Sequence, residues 1–352
     1  MNTKFQKVIL NKSIVNIYSH LKGNFSEDEL NNFLENDAEF EIDANDRVHM
    51  NFDKLLTDDE IKNIWDKINR GVDENIIEDL CNGRFLNIKF QDDAVLNIKT
   101  NLDNDSSATQ VFNIKSNEEN SCLYFCNEIL GNGKQFNFLY NLDIKNNSKV
   151  KIIIFTNSKA KGFINFLGNC DSNSQIDVSF IDINKNNLYN NCNMYLEGNS
   201  SVANVNICYI CNGNYKFDYN ITSTMIGKES CSDIKGKGVL LNNAQKIFRG
   251  TVDFRKGCLN AKGAENEEVI ILSKNIKNQS LPFLLCKEKN VEGRHGFTAN
   301  SIDEEKMFYL LSRGFNENQA KGIILKGKFL SLLSKIENDE IVEKFMNVLG
   351  AL

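Results

Sequence analysis

The residues of this chain that could bind or activate something are few. His295 is one of three histidines in 352 residues. It lies in VEGRHGFTANSIDEEKMFYLLSRGF, residues 291–315, between Gly293 and Gly296. A free imidazole titrates at about 6.5, so at cellular pH it is largely neutral and can ligate a borderline metal ion. The glycines point to a hinge, and two readings stand: a metal ligand, or a hinge histidine bonded to a carbonyl. Ten cysteines add candidates. Cys208 and Cys211 form a C-x-x-C inside a strand pattern. Residues three apart on a strand face opposite ways, so that pair reads as packing. Cys122 and Cys126 stand about 13 Å apart along a strand and read the same way. Cys258 and Cys286 flank the histidine region as candidate thiolate ligands, although an ordinary thiol is mostly protonated at pH 7.

Other chemistries are excluded. GNGKQF at Gly131 lacks the spacing and the hydroxyl residue of a phosphate-binding loop. No G-x-S-x-G elbow occurs, and three scattered histidines leave little for a hydrolytic triad. The net charge of −6, with no basic stripe, argues against nucleic acid as a partner. No apolar run is long enough to span a membrane. The first residues lack the apolar stretch of a signal peptide, so a cytoplasmic location with reduced thiols is expected.

Three zones have to position these residues. Residues 1–83 read as helical. SEDE at Ser26 and TDDE at Thr57 have the capping-box form, and Ile61, Ile64, Trp65 and Ile68 share a face before Gly71. From about 84 to 290 the pattern alternates with period two, as in SQIDVSF and VANVNICYI. Turn tokens punctuate about 20 strands, with no helical crossovers. A β-solenoid or a large sandwich would accommodate that run, and no strict residue repeat decides between them. The third zone is helical again. It has a capping box at Ser301–Glu304, a stripe of Met307, Leu310 and Leu311 ending at Gly314, and a cap at Asn316–Gln319. Ala320, Ile323, Ile324, Leu330 and Leu333 should face inward. A last helix carries Ile341, Phe345, Val348 and Leu349.

The last 135 residues resemble the SufB/SufD proteins of SUF iron–sulfur cluster assembly. The resemblance rests on Pro282, Leu284, Val291, the His295–Gly296 pair, Thr298, FYLLSRG from Phe308 to Gly314, Ala320 and Phe329. The His-Gly pair is more SufD-like than SufB-like. The resemblance implies a mainly β fold: a right-handed parallel β-helix over 84–296, flanked by helical regions at 1–83 and 297–352. It implies a non-catalytic scaffold that pairs with a SufB-like paralogue or with itself. It also implies a SufC-like ABC ATPase docked on Phe308, Tyr309, Leu311, Arg313 and Gly314, with a cysteine desulfurase system acting indirectly. His295 becomes a candidate ligand for a transient iron–sulfur cluster at a subunit interface, with Cys258 and Cys286 as weaker candidates.

Two departures matter. Many relatives carry a cysteine two residues before the histidine, where this chain has Gly293. Many also carry a histidine where this chain reads NITST at 220–224. The missing thiol supports an alternative role as a structural adaptor without cluster ligands. A β-helix polysaccharide-active enzyme is a third reading, disfavoured by the absent export signal.

Overall fold

A computed structural model describes residues 6–13, 25–30, 38–52, 62, 64, 67, 72–104 and 106–352. The chain winds back and forth between two sheets. One holds β3 (Glu39–Ala44) and the even strands β6 (Ala94–Leu102) to β20 (Glu292–Asn300). The other holds β4 (Val48–Asn51) and the odd strands β5 (Arg84–Phe90) to β19 (Lys277–Cys286). From β5 and β6 onward every neighbouring pair is parallel, while β3 and β4 close the first coil antiparallel. This is a parallel β-solenoid with two strands per coil, and it settles the choice against a sandwich.

The repeat that residue identity hides is structural. The register advances from 26 residues (Gln135 to Lys161) up to 32 (Gln245 to Lys277) per coil. At one corner of each coil a residue takes positive φ: Asp93, Asn120, Asn147, Asn173, Ser200, Glu229 and Asn260. Asparagine and aspartate tolerate this conformation best. A small residue follows each one, usually serine. Ser121, Ser174, Ser201 and Ser230 donate to the carbonyl three residues back, at 3.0, 2.5, 2.8 and 2.8 Å. Asn120, Asn147, Asn173 and Asn260 serve these corners, and other asparagines form ladders across coils on the odd sheet, Asn141 to Asn113 to Asn87 and Asn220 to Asn191.

Between the sheets lies an apolar core. Phe112 stacks on Tyr140 with ring centroids 4.8 Å apart, and Phe125, Phe138, Phe166 and Phe180 continue the column. Cys208 and Cys211 are both buried and fall on opposite faces of β14 (Val202–Gly213), in separate apolar clusters, as strand alternation requires. The core also holds polar groups. Asp182 accepts from Thr156 Oγ1 and from Tyr219 OH, each at 2.8 Å. Burial outweighs these two bonds and pushes its carboxyl up to about 7. Between the ordinary aspartate value near 3.8 and about 7, the folded protein keeps a proton the unfolded chain has lost. Stability therefore falls as pH rises through that window. Asp182→Asn should remove this dependence. Relative to wild type it should gain roughly 1–4 kcal/mol between pH 4 and pH 8, because each pH unit crossed in the window is worth about 1.4 kcal/mol. Urea midpoints across pH check it, and an unchanged pH slope in the variant would contradict it.

Each outer face carries a covering. On the even sheet lie α3 (Glu317–Leu333) and α4 (Asp339–Gly350), whose Leu325, Phe329, Ile341 and Phe345 pack on Ile153, Phe155, Ile181 and Ile210. On the odd sheet lie α1 (Glu74–Cys81) and the hairpin of β1 (Gln6–Leu10) with β2 (Ser26–Leu30). Asn11 and Ser26 reach the fully buried Asp218–Arg249 ion pair. The N-terminal region thus carries strands as well as helix. Its expected capping box at Ser26 is part of β2, where the serine bonds Asp218 rather than a helix N-terminus. The box at Thr57 lies outside the described residues, as do Ile61, Trp65, Ile68 and Gly71; Ile64 is helical and buried.

The C-terminal helices differ in detail from expectation. α2 (Glu304–Ser312) is capped by Asp303, which accepts from Lys306 N, and not by Ser301. The extended backbone of β20 runs on to Asn300, so the helix starts two residues later than the serine would set it, and Asp303 stands at the cap position. Nothing on α2 is buried. Ile323 and Leu330, expected to face inward, are 43% and 56% exposed. Gly314 ends α2 with φ of +91°, and the Asn316–Gln319 capping box is present.

Candidate functional site

His295 does not sit on a hinge. It lies within β20, the last strand of the even sheet, and Gly293 and Gly296 are not among the positive-φ glycines. In register it pairs with Glu265 on β18 (Lys262–Ile271). Side chains on β18 alternate, with Gly263, Glu265, Glu267 and Val269 turned into the solenoid interior. The parallel register carries this alternation to β20, so Gly293, His295 and Phe297 share the interior face. Their exposure has a simple cause: among the described residues no further coil follows β19 and β20. Pro282 lies on β19, a terminal strand where a missing N–H is tolerated.

Beneath His295 lies a polar cluster in place of an apolar floor. Lys246 on β17 (Gln245–Phe254) is fully buried and reaches both carboxylate oxygens of Glu267 at 2.7 Å. Glu267 also accepts from Tyr209 OH at 2.8 Å and Ser280 Oγ at 2.7 Å. The Lys246 ammonium sits 5.4 Å from the ring centroid of Phe297, which roofs it. Burial lowers the Lys246 pKa, and the Glu267 charge opposes that. Glu265 is 1% exposed, and neither of its carboxylate oxygens has a hydrogen-bond partner. Burial first, then the charge of Glu267, pushes its carboxyl up to about 8. It packs where Gly250 has no side chain, and a Cβ there would come within 2.5 Å of its Cγ.

The sequence reading missed Lys246, Glu265 and Glu267. The signal for the two glutamates was the run ENEE at 265–268, which puts two carboxylates two residues apart at positions where the alternation demands the interior.

The two cysteine candidates lie at a corner of the same end. Cys258 is buried in the turn between β17 and β18, and Cys286 is exposed at the end of β19, in register with Phe254. Burial, aided by Glu288, Asp253 and Cys286, pushes the Cys258 thiol up, which disfavours the thiolate a metal needs. Among the described residues no three His, Cys, Asp or Glu side chains are already gathered as a metal site.

The residues expected to dock a partner are elsewhere, on α2. Phe308 is 74% exposed, Tyr309 56% and Leu311 42%. The Arg313 guanidinium lies over the Tyr309 ring at 5.2 Å. Phe308, Tyr309 and Leu311 thus stand in water together on one short helix.

A family model described as SUF system FeS cluster assembly, SufBD core domain, matches residues 97–328. The chain belongs to the SufBD core family. That match begins well upstream of the last 135 residues where the resemblance could be read directly. The iron–sulfur cluster assembly protein SufD of Bacillus subtilis is 25% identical over 132 residues, 37% of this chain and 30% of that protein. An iron–sulfur cluster assembly SufBD family protein of Galdieria sulphuraria is 27% identical over 173 residues, 47% of this chain and 77% of that protein. A family protein of Mycobacterium bovis is 24% identical over 102 residues, 29% of this chain and 12% of that protein. The chain thus spans under a third of the length of the Bacillus relative it matches. No described helix is long and apolar enough to cross a membrane.

Proposed function

We propose that this SufBD-family chain is a non-catalytic, SufD-like scaffold subunit of a cytoplasmic iron–sulfur cluster assembly complex. One observation carries the reading. Among the described residues the solenoid ends in two strands with free edges, and β20, exposed along nearly its whole length, presents His295 beside them. Free edges invite strand pairing, and a SufB-like paralogue or a second copy would supply it. The cluster, as cargo, would be held where the partner's ligands meet His295. A SufC-like ABC ATPase would dock on α2, and a cysteine desulfurase system would supply sulfide indirectly.

The test is co-expression with a SufB-like protein and a SufC-like ATPase, pull-down, and anaerobic absorption spectra of the product. A chain that recovers neither partner would overturn the reading. Within a recovered complex, His295→Ala should slow cluster formation while leaving folding intact, because an exposed ring leaves no cavity when removed. Wild-type assembly by that variant would favour the adaptor role, which has its own support: Gly293 supplies no thiol, and Cys258 is buried.

A further inference from the structure

We propose that the cleft between the even sheet and the loop joining α3 to α4 binds one small zwitterion, of the class of a free α-amino acid with an apolar side chain. The cleft lies on the outward face of the middle coils, on other strands than His295.

Strand register builds its floor. Tyr124 on β8 (Cys122–Gly131), Lys151 on β10 (Lys149–Ser158), Asp177 on β12 (Gln175–Asp182) and Asn204 on β14 stand side by side across the coils. Two residues on, Ile153, Ser179 and Asn206 form a second such row. Strand alternation turns both rows outward, away from the apolar core. The loop after α3 supplies the roof with Lys335, Ile336 and Glu337. Floor and roof enclose a cleft of about 250 Å³. Drug-sized ligands take about 300–1,000 Å³, so this space suits a molecule nearer an amino acid in size.

Two polar side chains in the floor have nothing to bond. Ser179 is 8% exposed and Asn206 7%, and neither side chain makes a hydrogen bond among the described residues. Asparagines on the odd sheet bond one another from coil to coil, but the register neighbours of Asn206 are Ser179 and Lys235, and no ladder forms. Buried polar groups are nearly always satisfied. Left bare, these two cost desolvation with nothing in return. A hydroxyl and an amide each donate and accept, so a polar ligand in the cleft completes both.

Charge selects the class of ligand. Asp177 accepts from two neutral amides, Gln175 Nε2 at 2.7 Å and Asn204 Nδ2 at 2.6 Å. Lys335 stands against the Lys235 ammonium. Burial first, then Lys235, lowers its pKa, while Asp233 and Asp177 oppose the change. The neighbouring charges are already matched, Lys151 with Glu337 and Lys235 with Asp233. Among the described residues neither Asp177 nor Lys335 has an ion pair. One carboxylate in the floor and one ammonium in the roof thus lack a counter-ion. A simple anion would answer Lys335 alone, and a simple cation Asp177 alone. A zwitterion answers both, its carboxylate meeting Lys335 and its ammonium Asp177. Ile153, Ile336 and the Tyr124 ring offer the apolar wall on which its side chain would pack.

Calorimetric titration of the purified full chain with L-leucine, L-methionine and L-phenylalanine is the test. At least one should bind, at a single site per chain. For the tightest of them, the amine lacking the carboxylate and the acid lacking the amine should each bind about 10-fold or more weakly, the loss expected when a hydrogen bond to a charged group goes. Lys335→Met should weaken the amino acid by a similar factor and leave the amine unaffected. Asp177→Asn should weaken the amino acid and leave the acid unaffected. Ser179→Ala should weaken binding too, while the ligand-free chain melts no lower, because the lost hydroxyl bonds nothing. Melting curves show that each variant is folded, and the comparison of analogues needs no variant. No binding of any of the three at millimolar concentration would mean that water alone fills the cleft, and would overturn the site. An analogue with one charge that binds as tightly as the amino acid would overturn the zwitterion. Undiminished affinity in both Lys335→Met and Asp177→Asn would place the binding elsewhere. None of these outcomes bears on partner recovery, so the scaffold reading fails or survives separately.

Discussion

Lys246→Met should destabilise the protein by about 3–5 kcal/mol, because it leaves the Glu267 carboxylate buried without its counter-charge. Lys246 and Glu267 are both completely shielded from solvent. The hydroxyls of Tyr209 and Ser280 would remain, but two neutral donors do not replace an ammonium that meets both oxygens. The loss is a large fraction of a typical domain's stability. It should shrink in Lys246→Met with Glu267→Gln, since replacing both members of a buried pair is often close to neutral. Urea unfolding of the two single variants and the double variant makes the cycle. A Lys246→Met loss under about 1 kcal/mol at pH 7 would show that the pair contributes little.

A second large effect is expected with no loss of stability at all. Phe308→Asp with Leu311→Asp should abolish association with a SufC-like ATPase while shifting the melting temperature hardly at all. The exposure of both side chains decides this. In a buried face an aspartate would cost several kcal/mol, but Phe308 and Leu311 already stand in water on a helix with no buried residue. Surface substitutions of this kind stay within about 0.5 kcal/mol. Central apolar anchors of an interface, by contrast, carry about 2 kcal/mol or more each. Calorimetric titration of ATPase into wild-type and variant chains is the measurement. Equal affinity would place the docking surface elsewhere, and a lowered melting temperature would show α2 to be packed after all.

Much of the architecture was legible in the residues because period two is a strong signal and helix caps are local. The strands of VANVNICYI and SQIDVSF, the stop at Gly314 and the cap at Asn316 all follow from neighbours within a few positions. The coil repeat was hidden for a physical reason. A corner needs only a residue that tolerates positive φ followed by something small, so Asn-Ser, Ser-Ser and Glu-Ser are interchangeable there, and identity drifts while conformation stays. Ser26 misled for a related reason. SEDE satisfies a local cap rule, but the partner that wins, Asp218, is 192 residues away. The site was half legible. His295 stood out by rarity, whereas Lys246, Glu265 and Glu267 look like ordinary surface charges until the alternation of two aligned coils turns them inward. Ile323 and Leu330 fit a helical stripe, but the even sheet covers only one side of α3.

The two outer coverings set an order in time. Adjacent coils are joined by bonds between residues about 30 apart in sequence, so each coil can form as soon as its predecessor exists. The coverings obey a different clock. Asn11 bonds Asp218 across 207 residues, and Lys344 bonds Glu128 across 216 at 2.6 Å. The N-terminal hairpin must wait for half the chain to follow it, and α4 is made only after every coil. During synthesis, then, the growing solenoid carries bare apolar faces, Phe163 and Leu139 on one side and Phe155 and Ile181 on the other, until its ends return to cover them. Loop closure over such distances is slow. Pulse-labelled hydrogen exchange should therefore show corner amides protected before those of α4, with a spell of aggregation risk between the two.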